Sequence, residues 1–349
     1  MEILRLYQSH RLYSYLGKES ITICNATKIM RKFLSAVLCA TLTVAMLTGC
    51  GSKAEDSATP ETQQEETTTE AVAEEITIEH VNGTATVKKN PQKVVVFDLG
   101  VLDTLDVLGV EAEFAVPTDT LTSYLKKYES ATNAGGIKEP DVEGIFNFKP
   151  DVIFISGRQG DFYEELNKIA PTVYWEQKPE TYVEDFKSQV QTLATLFGKE
   201  AEAEEKLAEI DALIEQGKEK AAANDEKALV ILTNDGGISA YGKGSRFGIV
   251  HDVLGVKPAD ETIEVSTHGQ EVGYEYISKV NPDKIFVVDR TVVVGGEKKA
   301  ADTLDNDLVK STNAGKNNNI VYLTPEVWYL GGAGLTSVKT MVEEVVNAL

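Results

Sequence analysis

The sequence predicts two Rossmann-like α/β lobes joined by a single long helix. Residues 143–158 and 275–290 share, at one constant offset, a glutamate, an isoleucine, a Pro-Asp pair, an apolar strand and an arginine. Such a repeat indicates that one supersecondary unit was used twice. Residues 200–223 carry apolar side chains at helical spacing over about 33 Å, which is long enough to cross from one lobe to the other. Short apolar runs alternate with helical patterns on both sides, as in parallel sheets covered by helices.

Composition and patterning divide the 349 residues into six segments. A basic start followed by an apolar run is typical of a secretory signal peptide, and the tract rich in Ser, Thr and Glu behind it predicts a disordered acidic tether. The predicted segments are an over-extended N-terminus at 1–29, a signal peptide at 30–49, the tether at 50–75, an N-terminal lobe at 76–198, the inter-lobe helix at 199–223 and a C-terminal lobe at 224–349.

The signal peptide ends in Leu47-Thr-Gly-Cys50, which resembles the bacterial lipobox. In that motif the cysteine is acylated, for example with palmitate, and becomes the mature N-terminus. We therefore expect a lipid anchor at Cys50 on the extracytoplasmic face of the cell membrane. A transmembrane anchor is disfavoured because the apolar run is short for a membrane span. The other cysteines, Cys24 and Cys39, precede the cleavage point, so cysteine catalysis and cysteine-based metal sites are excluded.

The chain is strongly acidic, with a formal net charge of −21 at pH 7. Such a surface repels nucleic acid and gains nothing from anionic lipid, so membrane contact is expected through the anchor only. Because the chain is acidic, arginines at strand ends are more informative about function than they would be in a basic protein.

The N-terminal lobe is predicted to begin with a hairpin over 76–87, where Asn82-Gly83 is a type I′ turn signal. The continuous apolar run at 93–97 suits a buried parallel strand. The further predicted elements are strands at 113–116, 152–156 and 172–175, and helices at 100–108, 143–148, 161–169 and 181–197.

In the C-terminal lobe, strand–helix alternation restarts at 229–233. The further predicted elements are strands at 285–289, 292–294 and 320–323, and helices at 246–254, 277–280 and 336–348.

Two α/β lobes joined by one long helix resemble the class III substrate-binding proteins of ABC importers, which carry iron-siderophores, haem and cobalamin. The resemblance implies the class III periplasmic-binding-protein fold, a monomer, and an ABC permease with its ATPase as partners. In that family the glutamate of each repeat copy docks onto arginines of the permease, and Glu143 and Glu275 match those positions. Alternatively, each is simply a carboxylate favoured by the dipole at a helix N-terminus.

Three arginines stand where ligands bind in such folds. Arg158 and Arg290 each follow a strand of the repeat, at the sheet end that forms binding crevices. Arg246 lies among the glycines of segment 242–248, which allow close backbone approach. These contexts resemble the petrobactin- and enterobactin-type catecholate-siderophore binders of this class, where three arginines surround an iron(III)–catecholate complex. The complex is anionic, and guanidinium is a planar, permanent cation that donates to paired oxygens in a fork.

His268 and Tyr329 also match that subfamily. In the resembling proteins a His/Tyr pair coordinates iron where the siderophore leaves two positions open, and both side chains are suitable iron ligands. The alternatives are a loop histidine bonded to backbone and a tyrosine packed beside Trp328. His251 lies within a helical pattern and is predicted to be structural. His80 has no metal-ligand companion by spacing.

The predicted function is capture of an anionic ferric-catecholate siderophore by a lipid-anchored binding protein. The iron arrives with the ligand, so no intrinsic cofactor is expected. An enzyme is disfavoured because the chain has no G-x-S-x-G elbow and no P-loop. A haem-binding lipoprotein of the same class remains the alternative, because haem propionates also favour arginine.

Overall fold

The computed structural model describes residues 74–349, which form two α/β lobes joined by one long helix. The predicted over-extension, signal peptide and lipidation site Cys50, and nearly all of the tether, lie outside that range. Within residues 74–349, none of the helices has the length and apolar character needed to cross a membrane.

The strands are Glu75–His80 (β1), Gly83–Lys88 (β2), Lys93–Val96 (β3), Glu113–Val116 (β4), Thr132–Asn133 (β5), Gly135–Gly136 (β6), Glu139–Pro140 (β7), Val152–Ile155 (β8), Thr172–Tyr174 (β9), Lys227–Asn234 (β10), Gly237–Tyr241 (β11), Lys257–Pro258 (β12), Gln270–Glu271 (β13), Lys284–Asp289 (β14) and Ile320–Tyr322 (β15). The α-helices are Leu99–Val107 (α1), Val142–Phe148 (α2), Tyr163–Leu166 (α3), Tyr182–Phe197 (α4), Glu200–Ala223 (α5), Tyr274–Val280 (α6), Thr291–Val294 (α7), Ala300–Leu304 (α8), Asp307–Lys310 (α9), Asn313–Lys316 (α10) and Leu335–Ala348 (α11). Short 3₁₀ segments lie at Thr118–Thr120, Ser123–Ser130, Gly157–Phe162 and Pro179–Thr181, and π-helical turns at Ile249–Val253 and Val327–Gly331.

The N-terminal lobe is built on a parallel sheet with strand order β5-β4-β3-β8-β9. Its central strand β3 is buried on both faces, as its unbroken valine run requires. The preceding hairpin pairs β1 with β2, but the predicted type I′ turn is wrong. Only Gly83 has a positive φ there, of 122°, whereas a type I′ turn needs positive φ at both central residues.

The C-terminal lobe has a mixed sheet with order β13-β11-β10-β14-β15, and β12 also pairs with β10. Strands β11 and β13 are antiparallel, a feature that the predicted strand–helix alternation missed. The missed signal is Asp235-Gly236, whose φ angles of 49° and 92° turn β10 directly into β11. An Asp-Gly pair between apolar runs is a strong hairpin signal.

Three predicted elements differ from the structure. The predicted strand at 292–294 is the helical turn α7, which begins where the buried Asp289 carboxylate accepts the Thr291 N–H at 3.0 Å; the β-branched run was therefore misleading. The predicted helix at 161–169 is shorter, because a 3₁₀ segment precedes α3. At 246–254 only the π-helical turn Ile249–Val253 forms.

The repeat is a repeat of structure as well as of sequence. In each copy a seven-residue helix is followed by a residue with positive φ, Lys149 after α2 and Asn281 after α6. A Pro-Asp pair follows, and the carboxylate of the aspartate accepts a backbone N–H from the neighbouring strand. Asp151 accepts from Lys93 at 2.9 Å, and Asp283 accepts from Lys227 at 3.0 Å. The same contacts therefore set the start of β8 and of β14.

The crossover helix α5 and the C-terminal helix α11 pack together, and one apolar core runs through both lobes along them. Leu207, Ile210 and Ile214 of α5 are buried in this core. Gly217 permits the close approach, because a Cβ atom there would lie 2.7 Å from Leu254 and 3.0 Å from Val346. The lobes therefore share a hydrophobic core in addition to the covalent connection.

Candidate functional site

A cleft of about 500 Å³ lies between the two lobes. Both lobes line it, and the lining includes three of the predicted site residues, Arg158, Arg246 and Tyr329, but not Arg290. The other lining side chains include Gln177, Glu180 and Tyr182 from the N-terminal lobe and Ser245, Thr267, Trp328 and Met341 from the C-terminal lobe. No sequence pattern indicated that these side chains line the cleft, because their positions depend on how the lobes pack.

Arg158 leaves the N-terminal lobe just after β8, in the 3₁₀ segment Gly157–Phe162. The buried Gln159 beside it fixes this segment, because its side-chain oxygen accepts the Ser156 N–H at 3.0 Å and its amide nitrogen donates to the Ile137 carbonyl. The half-buried arginine then donates from Nη2 to the main-chain oxygen of Tyr329 at 3.0 Å, across the cleft.

Arg246 is presented by a tight loop of the C-terminal lobe. Gly244 has a φ of 67°, and its N–H donates to the Asp252 carboxylate at 2.7 Å. Although the residue as a whole is exposed, its guanidinium lies over the rings of Phe247 and Tyr329, 5.1 Å from each centroid. Nη2 of Arg246 also donates to the Tyr329 main-chain oxygen, at 3.2 Å.

Arg290 lies between β14 and the helical turn α7. Its backbone N–H donates to the Thr233 carbonyl at 3.0 Å, which ties it to the end of β10. Nε of Arg290 donates to the Tyr329 hydroxyl at 2.7 Å, and the guanidinium lies 5.4 Å from the centre of the same ring. All three predicted arginines thus meet at one tyrosine.

The charge environment of this trio is unusual for an acidic protein. These are the only arginines in residues 74–349, where all other permanently cationic side chains are lysines. Salt bridges join twelve lysine–carboxylate pairs in that range, but none involves an arginine. Removal from water lowers the pKa of the Arg246 guanidinium, and the charges of Arg158 and Arg290 act in the same direction. Arg158 and Arg246 therefore line the cleft, Arg290 is bonded to the lining residue Tyr329, and none of the three forms a salt bridge with a carboxylate within residues 74–349.

Tyr329 is held by the π-helical turn Val327–Gly331 and its neighbours. Nε1 of the buried Trp328 donates to the Glu344 carboxylate at 2.7 Å. On the other side, the Tyr182 hydroxyl donates to the Gly332 carbonyl at 2.8 Å, which links the two lobes. Single-turn π-helical segments occur frequently at functional sites.

Further inter-lobe hydrogen bonds reach the same stretch, residues 326–337, which we call the junction segment. The Ser123 N–H donates to the Glu326 carboxylate at 3.1 Å. The buried Asp103 carboxylate accepts the N–H groups of Thr336 at 3.1 Å and Ser337 at 2.9 Å, at the start of α11. Burial raises the pKa of Asp103. The junction segment is therefore bound by N-terminal-lobe side chains on both sides of Tyr329.

His268 is placed differently from the arginines. It is exposed in the loop before β13, next to the cleft-lining residues Ser266 and Thr267, but it does not itself line the cleft. Across residues 74–349 its side chain makes no hydrogen bond. The structure therefore does not bring His268 and Tyr329 into a pair.

The remaining predicted residues lie outside the cleft. Glu143 and Glu275 are exposed in the first turns of α2 and α6. His251 is buried with Nδ1 2.8 Å from the Val256 carbonyl, and burial lowers its pKa. Burial likewise lowers the pKa of His80, in β1. Within the part of the chain that the structure describes, no group of three His, Cys, Asp or Glu side chains is placed to hold a metal ion.

Comparison with known proteins places this cleft in context. The model of the periplasmic binding protein family matches residues 94–327. The petrobactin-binding protein YclQ of Bacillus subtilis is 43% identical over 326 residues, which cover 92% of this chain and 99% of YclQ. The ferric-anguibactin-binding protein FatB of Vibrio anguillarum is 35% identical over 320 residues, which cover 89% of this chain and 96% of FatB.

Comparison with solved structures gives similar relatives. The crystal structure of YclQ matches with a TM-score of 0.76 at 44% identity, covering 79% of this chain and 98% of that one. The periplasmic catecholate-siderophore-binding protein VctP of Vibrio cholerae matches with a TM-score of 0.73 at 35% identity, covering 78% and 99%. These matches confirm the predicted class III fold and the resemblance to catecholate-siderophore-binding proteins. The chain belongs to the periplasmic binding protein family.

Proposed function

We propose that this protein binds an anionic ferric-catecholate siderophore in the inter-lobe cleft and delivers it to an ABC importer. The observation that carries the proposal is the convergence of Arg158, Arg246 and Arg290 on Tyr329 without a salt bridge to a carboxylate among residues 74–349. Three clustered guanidinium groups repel one another and are stabilised by an anion. Membership of a family of binding proteins, together with the names of the relatives, supports a role in ligand capture and not in catalysis.

The chemistry of the ligand fits the side chains. Deprotonated catechols around Fe³⁺ give a complex with net negative charge and paired oxygens, which a planar guanidinium fork can bridge. Catechol rings can also stack on guanidinium planes, and Trp328, Met341 and Tyr182 provide apolar lining. The iron is part of the substrate, and the protein needs no cofactor of its own for this role.

Direct coordination of iron by His268 and Tyr329 is the finer hypothesis. It requires the Tyr329 hydroxyl, which accepts from Nε of Arg290, to lose its proton, and the exposed loop carrying His268 to move toward the cleft. Imidazole and phenolate are both suitable ligands for iron. The hypothesis applies to ligands that leave two iron positions open.

Delivery rests on two further elements. Glu143 and Glu275, one on each lobe, are proposed to dock onto the permease, which acts with its ATPase.

Cys50 is proposed to carry the lipid anchor that holds the monomer at the extracytoplasmic face of the membrane. Cys50→Ser should release the protein into the soluble fraction or the medium, and continued membrane fractionation of this variant would argue against the anchor.

The ligand assignment is tested by titrating the protein with a ferric catecholate, a ferric hydroxamate and haem while following tryptophan fluorescence. Trp328 lines the cleft, whereas Trp175 is buried in the N-terminal lobe with Nε1 bonded to Glu79. Ferric catecholate should quench the wild type with the highest affinity, and Trp328→Phe should lose most of the signal. Tighter binding of haem, with a sharp Soret band, would identify the alternative ligand.

A further inference from the structure

The repeat helices α2 and α6, which lie outside the cleft, present unequal surfaces to solvent. Glu143 and Glu275 occupy the same exposed position in the two copies, and neither forms a salt bridge within residues 74–349. Three residues later, α2 carries Phe146, which is 63% exposed, and α6 carries the half-buried Ser278. Residues three apart are neighbours on the surface of a helix. The N-terminal lobe therefore presents a carboxylate and an aromatic ring on one helix face.

The charges of the two helices do not distinguish the lobes. Glu143 lies in the first turn of α2, and Lys149 follows its last residue. Glu275 lies in the first turn of α6, and Lys279 in its last turn. Exposed carboxylates without an internal ion pair are complementary to cationic groups of a partner, and this holds equally for both lobes. The aromatic ring is therefore the feature that makes the two surfaces unequal.

The fold does not require an aromatic residue at this position. Both helices have seven residues, and each buries the isoleucine that precedes the position, Ile145 in α2 and Ile277 in α6. The same local structure thus forms with phenylalanine or with serine. Among the large apolar side chains that are exposed within residues 74–349, Phe146 is the only phenylalanine. Aromatic residues are enriched in protein interfaces, so the ring fits contact with a partner.

The helix that carries Phe146 is also held more firmly than its counterpart. The Asp141 carboxylate accepts the Gly144 N–H at 3.0 Å, whereas the equivalent Gly273 gives α6 no side-chain cap. Before the helix, Gly135 packs so closely that a Cβ atom there would overlap the backbone nitrogen of Asp141. A side chain on a fixed helix loses little freedom when it is buried by a partner, which lowers the ordering cost of binding.

We propose that Phe146 orients the protein on its membrane partner. The N-terminal lobe docks on a half of the partner that offers a cationic group to Glu143 beside an apolar recess for the Phe146 ring. The C-terminal lobe docks on a half that offers a cationic group without such a recess. This inference rests on the proposed function, because the partner is the permease proposed above. The ring selects one of the two orientations that two equivalent glutamates alone would allow.

The test exchanges the aromatic residue between the lobes of the full-length protein, in cells without a wild-type copy, and measures uptake of radioactive iron from a ferric catecholate. Phe146→Ser should lower uptake about tenfold, as for loss of one interface anchor. The exchange variant Phe146→Ser with Ser278→Phe should stay equally low, because its ring faces the wrong half. Phe146→Leu keeps an apolar side chain and should retain most of the uptake. Val81→Ser, which shortens another exposed apolar residue of the same lobe, is the matched control and should have no effect.

Photo-crosslinking supplies a second readout of orientation. Benzoylphenylalanine placed at position 146 and at position 278 should be linked to different peptides of the permease, and the same peptides from both positions would overturn the inference. Wild-type uptake in Phe146→Ser, or uptake restored in the exchange variant, would also overturn it. All variants should bind the ferric catecholate in vitro with wild-type affinity, and a loss would place Phe146 in ligand binding and refute its docking role. If uptake does not depend on Glu143 and Glu275, or if the wild type binds no ferric catecholate, the proposed function itself fails.

Discussion

The two copies of the repeat place an arginine at the same point of each lobe, yet the two arginines make different contacts. Arg158 enters a 3₁₀ segment and reaches across the cleft to the main chain of the other lobe. Arg290 begins a helical turn and stays within its own lobe, bonded to the Tyr329 hydroxyl. The shared motif therefore sets where each cation starts, and the residues that follow set what it reaches.

The helices of the two copies differ as well. Glu143 and Glu275 occupy the same exposed position, but one turn later α2 carries Phe146, which is 63% exposed, where α6 carries the half-buried Ser278. A large exposed aromatic side chain is a common anchor in protein interfaces. The two copies therefore present the same charge, but only α2 adds an exposed aromatic side chain next to it.

The largest expected effect concerns these two glutamates. Reversing both, Glu143→Lys with Glu275→Lys, should abolish uptake of radioactive iron by cells while leaving ligand affinity in vitro unchanged. Among the single variants, Glu143→Lys should impair uptake more, because Phe146 adds contact area on that lobe. Glu200→Lys, which reverses an exposed first-turn glutamate of α5, is the control. Loss of ligand affinity in the double variant would instead assign the glutamates to the binding site.

The next effect compares the two equivalent arginines. Replacing either Arg158 or Arg290 with alanine should weaken ferric-catecholate binding by about 2–5 kcal/mol, the range for truncating one partner of a desolvated charge pair. Tryptophan-quenching titration measures the loss. Lys243→Ala removes an exposed cation near Arg246 that does not line the cleft, and should leave affinity unchanged. Full affinity in one of the arginine variants would show that the lobes do not contribute equivalently.

A smaller effect is expected on the free energy of unfolding, where a contact between the lobes is compared with a contact within one lobe. Asp103→Ala should lower the free energy of unfolding by about 1–3 kcal/mol, because two N–H groups at the buried start of α11 lose their acceptor. Asp141 caps α2 within its own lobe at an exposed site, so Asp141→Ala should cost about 1 kcal/mol or less. Denaturant unfolding measures both. Equal losses of unfolding free energy in the two variants would show that the inter-lobe contacts of Asp103 stabilise the fold no more than a local helix cap does.

The smallest effect concerns pH. Burial lowers the pKa of His251 below its ordinary value of 6.5, so the unfolded chain binds this proton more readily than the folded protein does. The stability contributed by neutral His251 is therefore complete above about pH 6.5 and declines as the pH falls below it. The slope of unfolding free energy against pH between 7 and 5 should be reduced in His251→Gln. An unchanged slope would mean that other groups dominate this range.

The sequence predicted the features that depend on local chemistry. The repeat, the crossover helix and the strand-end arginines follow from apolar spacing and fixed offsets, and the class III fold is confirmed. The helix predicted to start at residue 199 begins at Glu200. Local signals also gave the wrong prediction where a neighbouring contact decided the conformation, as at residues 292–294, where the Asp289 carboxylate accepts the first N–H of a helical turn.

The features that escaped prediction depend on contacts between distant residues. The role of Tyr182 arises only because its hydroxyl meets Gly332 across the lobes. The common acceptor of Arg158 and Arg246 is a main-chain oxygen, which no residue type can reveal. The antiparallel strand β11 was not predicted, although Asp235-Gly236 between apolar runs is a hairpin signal.

The central claim is that both lobes contribute arginines to one site for an anionic, oxygen-rich ligand. The most direct measurement is the Kd for a ferric catecholate in the wild type and in the triple variant Arg158→Lys, Arg246→Lys, Arg290→Lys. The variant keeps the charges but loses the planar forks and their geometry. We predict that it binds at least about 100-fold more weakly while unfolding at a similar denaturant concentration. Equal affinity in the two proteins would contradict the claim that guanidinium geometry forms the site.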